Sequence, residues 1–147
     1  MPKMSAQEFQ ALIDAELPLV PLFGIRTERL GRGEAVMRMA FNDALVRPGG
    51  TIAGPALMGL ADVTMYAVVL SLVGRVELAV TTNLTIHFLR KPPPADVLAE
   101  GRILKLGKRL AVGEVLLYSD GQADVVAHVT GTYSVPPAGD HSKAPLP

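Results

Sequence analysis

The chain has 147 residues, of which 49% are hydrophobic, so it has the size of one domain and enough apolar material for a core. Its 14 basic and 14 acidic residues give a formal net charge of zero, which disfavours binding to nucleic acid or to an anionic membrane surface. The absence of cysteine excludes disulfides, thiolate catalysis and cysteine metal sites. The first residues lack the apolar core of a signal peptide, so we expect a cytoplasmic protein.

The N-terminal part predicts one helix followed by a β-hairpin. Ser5 and Glu8 have the spacing of a capping box, and the apolar stripe that follows them ends at Pro18. We therefore expect residues 1–22 to form a short amphipathic helix and a lead-in to the main domain. Residues 23–41 contain two β-like runs separated by glycines, which predicts the hairpin.

The next segment, from Gly54 to Gly74, is an almost wholly apolar helix candidate with one carboxylate, Asp62, near its middle. Pro55 suits its first turn. A buried carboxylate is costly unless it is paired, hydrogen-bonded or protonated. The residues alone allow three interpretations of this segment. The helix can span a membrane, Asp62 can be a structural aspartate that binds backbone amides or an arginine, or Asp62 can be a catalytic or ligand-binding acid. Gly59 and Asp62 interrupt the apolar run, and this disfavours the membrane span.

After this helix the periodicity becomes that of β-strands. Residues 80–88 alternate, with Leu84 and Ile86 on the face that meets the helix and Thr81 and Asn83 on a more polar face. Short turns predict that the strands form an antiparallel meander. Three further strand-like runs follow, at residues 97–106, 110–118 and 125–135.

This order of helix, two strands, long apolar helix and about four strands predicts an α+β domain in which the sheet wraps around the central helix. We place the domain at residues 23–135, because no repeat or linker interrupts it. Residues 136–147 are rich in proline and polar residues and have little to bury, so we expect a disordered tail.

Three segments, GGTIAGPALMGLAD, TTNLTIHFLRKP and GKRLAVGEV, occur in an order that resembles the hotdog-fold acyl-CoA thioesterases of the phenylacetate-degradation (PaaI-like) group. The resemblance extends over residues 23–135 and implies the hotdog fold. It also implies hydrolysis of an aryl- or medium-chain acyl-CoA thioester to free acid and CoA, with no cofactor. In that family a glycine amide at the start of the central helix forms the oxyanion hole and an acid eight residues later is the catalytic carboxylate. Gly54 and Asp62 match these positions, and Thr81 matches a hydroxyl that helps to hold the water or the carboxylate.

The spacing of Gly54 and Asp62 has a geometric consequence that does not depend on the family. Eight helical residues rise about 12 Å, so the two groups of one chain cannot both touch one carbonyl carbon. A homodimer with antiparallel central helices would place Gly54 of one chain opposite Asp62 of the other. The resemblance implies the same arrangement, as a dimer or as a dimer of two dimers. The sequence leaves open whether Asp62 activates a water or attacks the carbonyl directly.

Several positions before the central helix differ from the family pattern. Ala53 stands where many relatives have a histidine, Pro55 where they have a second glycine, and Arg47 where they often have an asparagine that points at the thioester. We assign these three, with Gly50 of the same loop, to substrate binding, although a solvent-facing arginine is the simpler interpretation of Arg47. These departures favour one alternative, a non-catalytic acyl-CoA-binding dimer. A hotdog hydratase or dehydratase is a second alternative, but it should pair a histidine with an acid, and Ala53 at the histidine position disfavours it.

The phosphates of CoA require cations or other donors near the mouth of the site. Candidates are Arg90 and Lys91 at a strand end and Lys108 and Arg109 in a turn. We also assign Asn83 to substrate binding. The alternative is that the basic pairs are ordinary solvated charges at strand ends and turns. We expect no metal site, because the chain lacks cysteine and its histidines do not cluster with acids. These histidines are His87, His128 and His141.

Overall fold

A computed structural model describes residues 1–137 of the chain, so the expectation for the tail, residues 136–147, falls almost entirely outside the described residues. The helices are α1 (Ala6–Glu16), α2 (Leu19–Phe23) and α3 (Gly54–Val73), and a 3₁₀ turn covers Asp43–Leu45. The strands are β1 (Ile25–Gly31), β2 (Glu34–Met39), β3 (Val80–Phe88), β4 (Val97–Leu106), β5 (Leu110–Ser119) and β6 (Val125–Ser134). The α+β organisation and the strands expected from the sequence are therefore present.

The strands form one antiparallel sheet in the order β1-β2-β4-β5-β6-β3. Strands β4, β5 and β6 form the expected meander. The prediction of a meander is wrong for β3, because this strand pairs with β6 at the edge of the sheet. Three prolines, Pro92 to Pro94, prevent a tight hairpin between β3 and β4. The eight residues between these strands reach up to about 26 Å, enough to cross the three strand spacings, about 14 Å, that separate them.

Helix α3 packs across the sheet, and most of its residues are buried. Glycines in the facing strands allow the close approach, because a Cβ at Gly101 would lie 2.8 Å from the Thr64 methyl group and one at Gly113 would lie 2.8 Å from the Met65 sulfur. The helix is long and apolar enough to span a membrane, but 72% of its tested window is buried inside the domain. Burial in the core accounts for its apolar composition.

The N-terminal segment forms two helices where the sequence predicts one. Helix α1 begins with the expected capping box, in which Ser5 and Glu8 each accept a hydrogen bond from the other's backbone N–H. Helix α2 follows Pro18 and was missed, because its five residues are less than two turns and no side chain caps it. Gly24, with φ of 69°, ends α2 and turns the chain into the β1–β2 hairpin, which is confirmed.

A β-bulge at Thr82 changes which residues of β3 face α3. The register with β6 shifts between Thr81 and Asn83, so one extra residue lies on the β3 side. The side chain of Thr81 therefore points at α3, on the same face as Leu84, and its hydroxyl reaches Asp62. Simple alternation placed Thr81 on the polar face together with Asn83, and that expectation was wrong because alternation does not survive a bulge.

Candidate active site

Asp62 lies half-buried in the middle of α3, where its carboxylate meets the β3–β6 pair. Thr81 donates from Oγ1 to Asp62 Oδ1 at 2.5 Å. The Tyr133 hydroxyl lies 2.9 Å from the same oxygen and 3.0 Å from the main-chain oxygen of Asp62. Thr81 and Tyr133 are direct partners in the register of the two strands, so one rung of the sheet supplies both hydroxyls. The structure brings together two of the predicted catalytic residues and adds Tyr133.

The surroundings of Tyr133 keep its hydroxyl protonated. The side chain is buried, and its ring stacks on that of Tyr66 with 6.1 Å between the ring centroids. Burial, together with the negative charge of Asp62, raises the pKa of the Tyr133 phenol well above its ordinary value. Tyr66 donates in turn to the main-chain oxygen of Glu77 at 3.1 Å, and burial raises the pKa of Tyr66 to about 12. Both phenols therefore act as donors near neutral pH.

The two side chains that bind the Asp62 carboxylate are neutral, and both bind the same oxygen. Within residues 1–137 Asp62 forms no ion pair, and its Oδ2 accepts no hydrogen bond. Within these residues Asp62 is therefore not satisfied by an arginine or by backbone amides, as the structural interpretation would require. A carboxylate that is fixed through one oxygen and free at the other can take a proton from water or attack a carbon placed before it.

Gly54, the predicted oxyanion residue, is the first residue of α3. The loop before the helix is closed by a hydrogen bond from the Ala53 N–H to the Leu45 oxygen at 2.7 Å. The Gly54 N–H donates to no acceptor within residues 1–137 and lies at the positive end of the helix dipole. The ring of Phe88 would lie 3.3 Å from a Cβ at position 54, so the aromatic ring covers this glycine. The free N–H can bind a developing oxyanion.

The other predicted residues of this loop surround the start of α3. The Gly50 N–H donates to the main-chain oxygen of Arg47 at 3.0 Å, and Gly50 has a φ of 84°, which favours glycine. The Arg47 side chain is exposed. Ala53 is the N-cap residue without a side-chain hydrogen bond, and Pro55 lies in the first turn as expected. Within residues 1–137 no hydrogen bond joins any of these four residues to the Asp62 carboxylate.

The two basic pairs lie at opposite ends of β3. Arg90 and Lys91 are exposed and follow Phe88, on the side of Gly54. Lys108 and Arg109 are exposed in the β4–β5 turn, where the Arg109 main-chain oxygen accepts a hydrogen bond from Val135, two residues beyond Tyr133. One pair therefore lies on the Gly54 side and the other on the Asp62 side.

The remaining polar residues lie on the outer face of the sheet, away from α3. Asn83 is exposed there, beside Thr85 and not near Asp62, so the structure does not bring it to the site within one chain. His87 and His128 are direct partners of β3 and β6 on this face, whereas His141 lies outside the described residues. Within residues 1–137 no group of three His, Cys, Asp or Glu side chains could hold a metal ion.

Tyr133 is the site residue that the sequence interpretation did not assign, although a signal for it exists. Odd-numbered positions of β6, such as Val129, face the core, so the same alternation turns Tyr133 inward. A buried tyrosine hydroxyl usually finds a hydrogen-bond partner. The one carboxylate in the apolar helix, Asp62, was the available acceptor.

Comparison with known proteins identifies the family. Residues 49–126 match the model of the thioesterase superfamily. A candidate esterase of Saccharolobus solfataricus is 31% identical over 135 residues, which cover 91% of this chain and 87% of that protein. The crystal structure of a candidate thioesterase from a Silicibacter species is 42% identical with a TM-score of 0.84, covering 93% of this chain and 95% of that one. A variant of the phenylacetic acid degradation protein PaaI from Thermus thermophilus is 27% identical with a TM-score of 0.72, covering 81% of this chain and 99% of that one. The chain therefore belongs to the thioesterase superfamily, as a PaaI-like thioester hydrolase with the hotdog fold.

Proposed function

We propose that this protein hydrolyses acyl-CoA thioesters with an aryl or medium-chain acyl group, and that it does so as a homodimer with Asp62 as the catalytic carboxylate. The observation that carries the proposal is the state of Asp62, whose Oδ1 is held by two neutral hydroxyls and whose Oδ2 accepts no hydrogen bond from residues 1–137. A carboxylate without a cationic partner in an apolar helix is costly, and a hydrolytic role explains its presence.

The proposed site needs a second copy of the chain. Gly54 and Asp62 are separated by eight residues of one continuous helix, or about 12 Å, so one chain cannot place both on a single thioester carbonyl. Strand β3 lies at an edge of the sheet, where Val80 is 47% and Phe88 52% exposed. A second copy that pairs with this edge would cover both side chains and bring Gly54 of one chain to Asp62 of the other.

In the proposed reaction the thioester carbonyl oxygen accepts a hydrogen bond from the Gly54 N–H of one subunit. Asp62 of the other subunit takes a proton from water while the water oxygen bonds to the carbonyl carbon. The carbon–sulfur bond of the tetrahedral intermediate then breaks, and the departing CoA sulfur receives the proton that Asp62 holds. The products are the free acid and CoA. The alternative uses the same residues: Asp62 attacks the carbonyl carbon, the carbon–sulfur bond breaks and CoA leaves as the thiolate, and a mixed anhydride remains. Water then opens the anhydride, which releases the acid and restores the Asp62 carboxylate, and a proton from the water neutralises the thiolate.

The basic pairs are proposed to bind the phosphates of CoA. Arg90 and Lys91 lie on the Gly54 side of the chain, and Lys108 and Arg109 lie on the Asp62 side. In an antiparallel dimer the Gly54 side of one subunit meets the Asp62 side of the other, so both kinds of pair would flank the same mouth. Four cations there would suit phosphate groups.

Release of free thiol from a panel of acyl-CoA esters tests this function. We expect the protein to release CoA from phenylacetyl-CoA or octanoyl-CoA. Asp62→Asn should lower kcat by about 10²–10⁴-fold, while light scattering should still show a dimer. Asp124→Asn changes an exposed carboxylate in a turn and should keep the wild-type rate. Binding of octanoyl-CoA without any release would indicate a non-catalytic dimer, and hydration of an enoyl-CoA would indicate a hydratase.

The sharing of sites between subunits can be tested by combining two inactive variants. Gly54→Pro removes the oxyanion N–H but keeps a φ suited to the start of a helix. A mixed dimer of Gly54→Pro and Asp62→Asn chains has one site with both groups intact. Co-expressed, doubly tagged mixed dimers should therefore recover about half of the wild-type activity. Activity that stays at the level of the single variants would place each site within one chain.

A further inference from the structure

A cavity of about 470 Å³ opens directly beside Asp62, Thr81 and Tyr133. Its walls come from the end of α1 and the start of α2, from one face of α3, and from residues 77–81, which lead into β3. Its size falls within the range of about 300–1,000 Å³ that is typical of small-molecule pockets. The proposed chemistry uses the carboxylate and the hydroxyls but nothing deeper in the cavity, so the rest of its lining needs an explanation.

The lining beyond the carboxylate is mainly apolar. It includes Val63 of α3, Leu78 and Val80 at the start of β3, and Leu17 and Leu19 of the N-terminal segment. Of these side chains, Leu19 and Leu78 are exposed in the chain as described and are not part of the β3 edge that the second copy would cover. An apolar ligand in the cavity would remove this surface from water, which is favourable.

Helix α2 of the N-terminal segment packs against α3 at a glycine, which has no side chain. A Cβ at Gly59 would lie 3.0 Å from a ring carbon of Phe23 and 3.6 Å from a methyl carbon of Leu19. Helix α2 can approach this closely because residue 59, three positions before Asp62, is glycine. The contact fixes the position of Leu19 relative to Asp62, so α1 and α2 form a defined wall of the cavity.

We propose that this cavity binds the acyl group of the substrate, that Leu17 and Leu19 limit the size of the group, and that the accepted groups are uncharged. The proposal rests on the proposed function and extends it to the substrate class. The acyl group would lie in the subunit that supplies Asp62, whereas the carbonyl oxygen would be bound by Gly54 of the other subunit.

The charge preference follows from the ionisable residues of the lining. Besides Asp62, two acidic residues, Glu16 and Glu77, line the cavity, and no lysine or arginine among the described residues lines it. The ion-pair partner of Glu77 is Arg75, which lies outside the lining. An acyl group that ends in a carboxylate would meet the negative charges of Asp62 and Glu16 here, and no lysine or arginine of the described lining would pair with it.

Substitutions at Leu19 test the size limit. Leu19→Trp fills part of the cavity and should lower kcat/KM for octanoyl-CoA and phenylacetyl-CoA by about tenfold or more, with less than about a twofold change for acetyl-CoA. Leu19→Ala should shift the preference toward longer chains. Leu22→Trp is the matched control, because it adds the same ring to α2 at a side chain that is 72% exposed and does not line the cavity. It should keep the wild-type preference.

The charge preference is tested by comparing glutaryl-CoA with the uncharged pentanoyl-CoA. We expect kcat/KM to be about tenfold or more lower for glutaryl-CoA, and we expect the double variant Glu16→Gln, Glu77→Gln to narrow this gap. Equal rates for the two esters would overturn the charge preference.

The failure of this proposal can be distinguished from the failure of the proposed function. If the wild-type protein hydrolyses no ester, the thioesterase proposal is wrong. Calorimetry of octanoyl-CoA binding to the Asp62→Asn protein then tests the cavity without catalysis, and Leu19→Trp should weaken that binding by about tenfold. Hydrolysis with the same chain-length profile in both Leu19 variants, or unchanged binding in the calorimeter, would overturn the assignment of the cavity.

Discussion

Asp62 and Glu114 each bind two side-chain donors, but the donors are of opposite kinds. On the inner face of the sheet, Asp62 is held through one oxygen by the hydroxyls of Thr81 and Tyr133. On the outer face, Glu114 pairs with Arg102 through Oε1 and with His128 through Oε2. The hydrogen bonds from His128 and Arg102 lower the pKa of Glu114 below its ordinary value.

The difference separates a structural carboxylate from a reactive one. Both carboxylate oxygens of Glu114 bind side chains that can carry positive charge, so these side chains compensate the negative charge of Glu114. Asp62 is fixed in position by neutral donors that do not cancel its charge, and one of its oxygens has no partner within residues 1–137. A general base or nucleophile needs this combination of fixed position and uncompensated charge.

The largest expected effect is the contrast between the two isosteric amide variants. Asp62→Asn should lower kcat by about 10²–10⁴-fold, because the amide can neither accept the proton nor attack the carbonyl. Glu114→Gln should stay within about twofold of the wild-type kcat, because the outer pair does not touch the site. Both rates are measured by thiol release from the same ester. Equal losses in the two variants would show that the comparison assigns the wrong role to one of them.

A smaller effect is expected when Asp62 keeps its charge but loses one donor. Tyr133→Phe removes the hydroxyl and keeps the buried ring, so kcat should fall by about tenfold with little change in KM. Phenylalanine leaves Thr81 as the one side-chain donor to Asp62 Oδ1 within residues 1–137, so the carboxylate is held less firmly while substrate binding is kept. Tyr118→Phe, on the outer face of β5, is the matched control. A kcat that stays at the wild-type value in Tyr133→Phe would show that Tyr133 only packs in the core.

Local pattern predicted most of the fold. The long apolar run of α3 and the alternating strands follow from side-chain periodicity, which one element reveals by itself. The position of β3 at the far edge of the sheet does not follow from periodicity, because it depends on how the chain after Pro94 crosses the sheet. The bulge at Thr82 has no local signature either, and it decides whether Thr81 faces the helix.

The candidate site was predicted where its residues share one element. The offset between Gly54 and Asp62 can be read along a single helix, and it already implies a second subunit. Tyr133 could not be found in this way, because it lies 71 residues from Asp62 in the chain and meets it only through the pairing of β3 with β6. The register that pairs Tyr133 with Thr81 belongs to the assembled sheet.

The smallest expected effect concerns stability rather than rate, and it tests the outer half of the comparison. The pKa of Glu114 is lower in the folded state than in the unfolded chain, where glutamate titrates near about 4.3. The outer pair therefore stabilises the fold at pH values above this range, and the contribution is lost as the pH falls through the lower, folded-state pKa. Because the Arg102 side chain is 66% exposed, solvent screening limits the contribution to about 1 kcal/mol or less. In urea unfolding, Glu114→Gln should be less stable than the wild type at pH 6, and the difference should shrink as the pH is lowered from 6 to 3. A difference that persists unchanged at pH 3 would mean that packing of the side chain, and not its charge, stabilises this face.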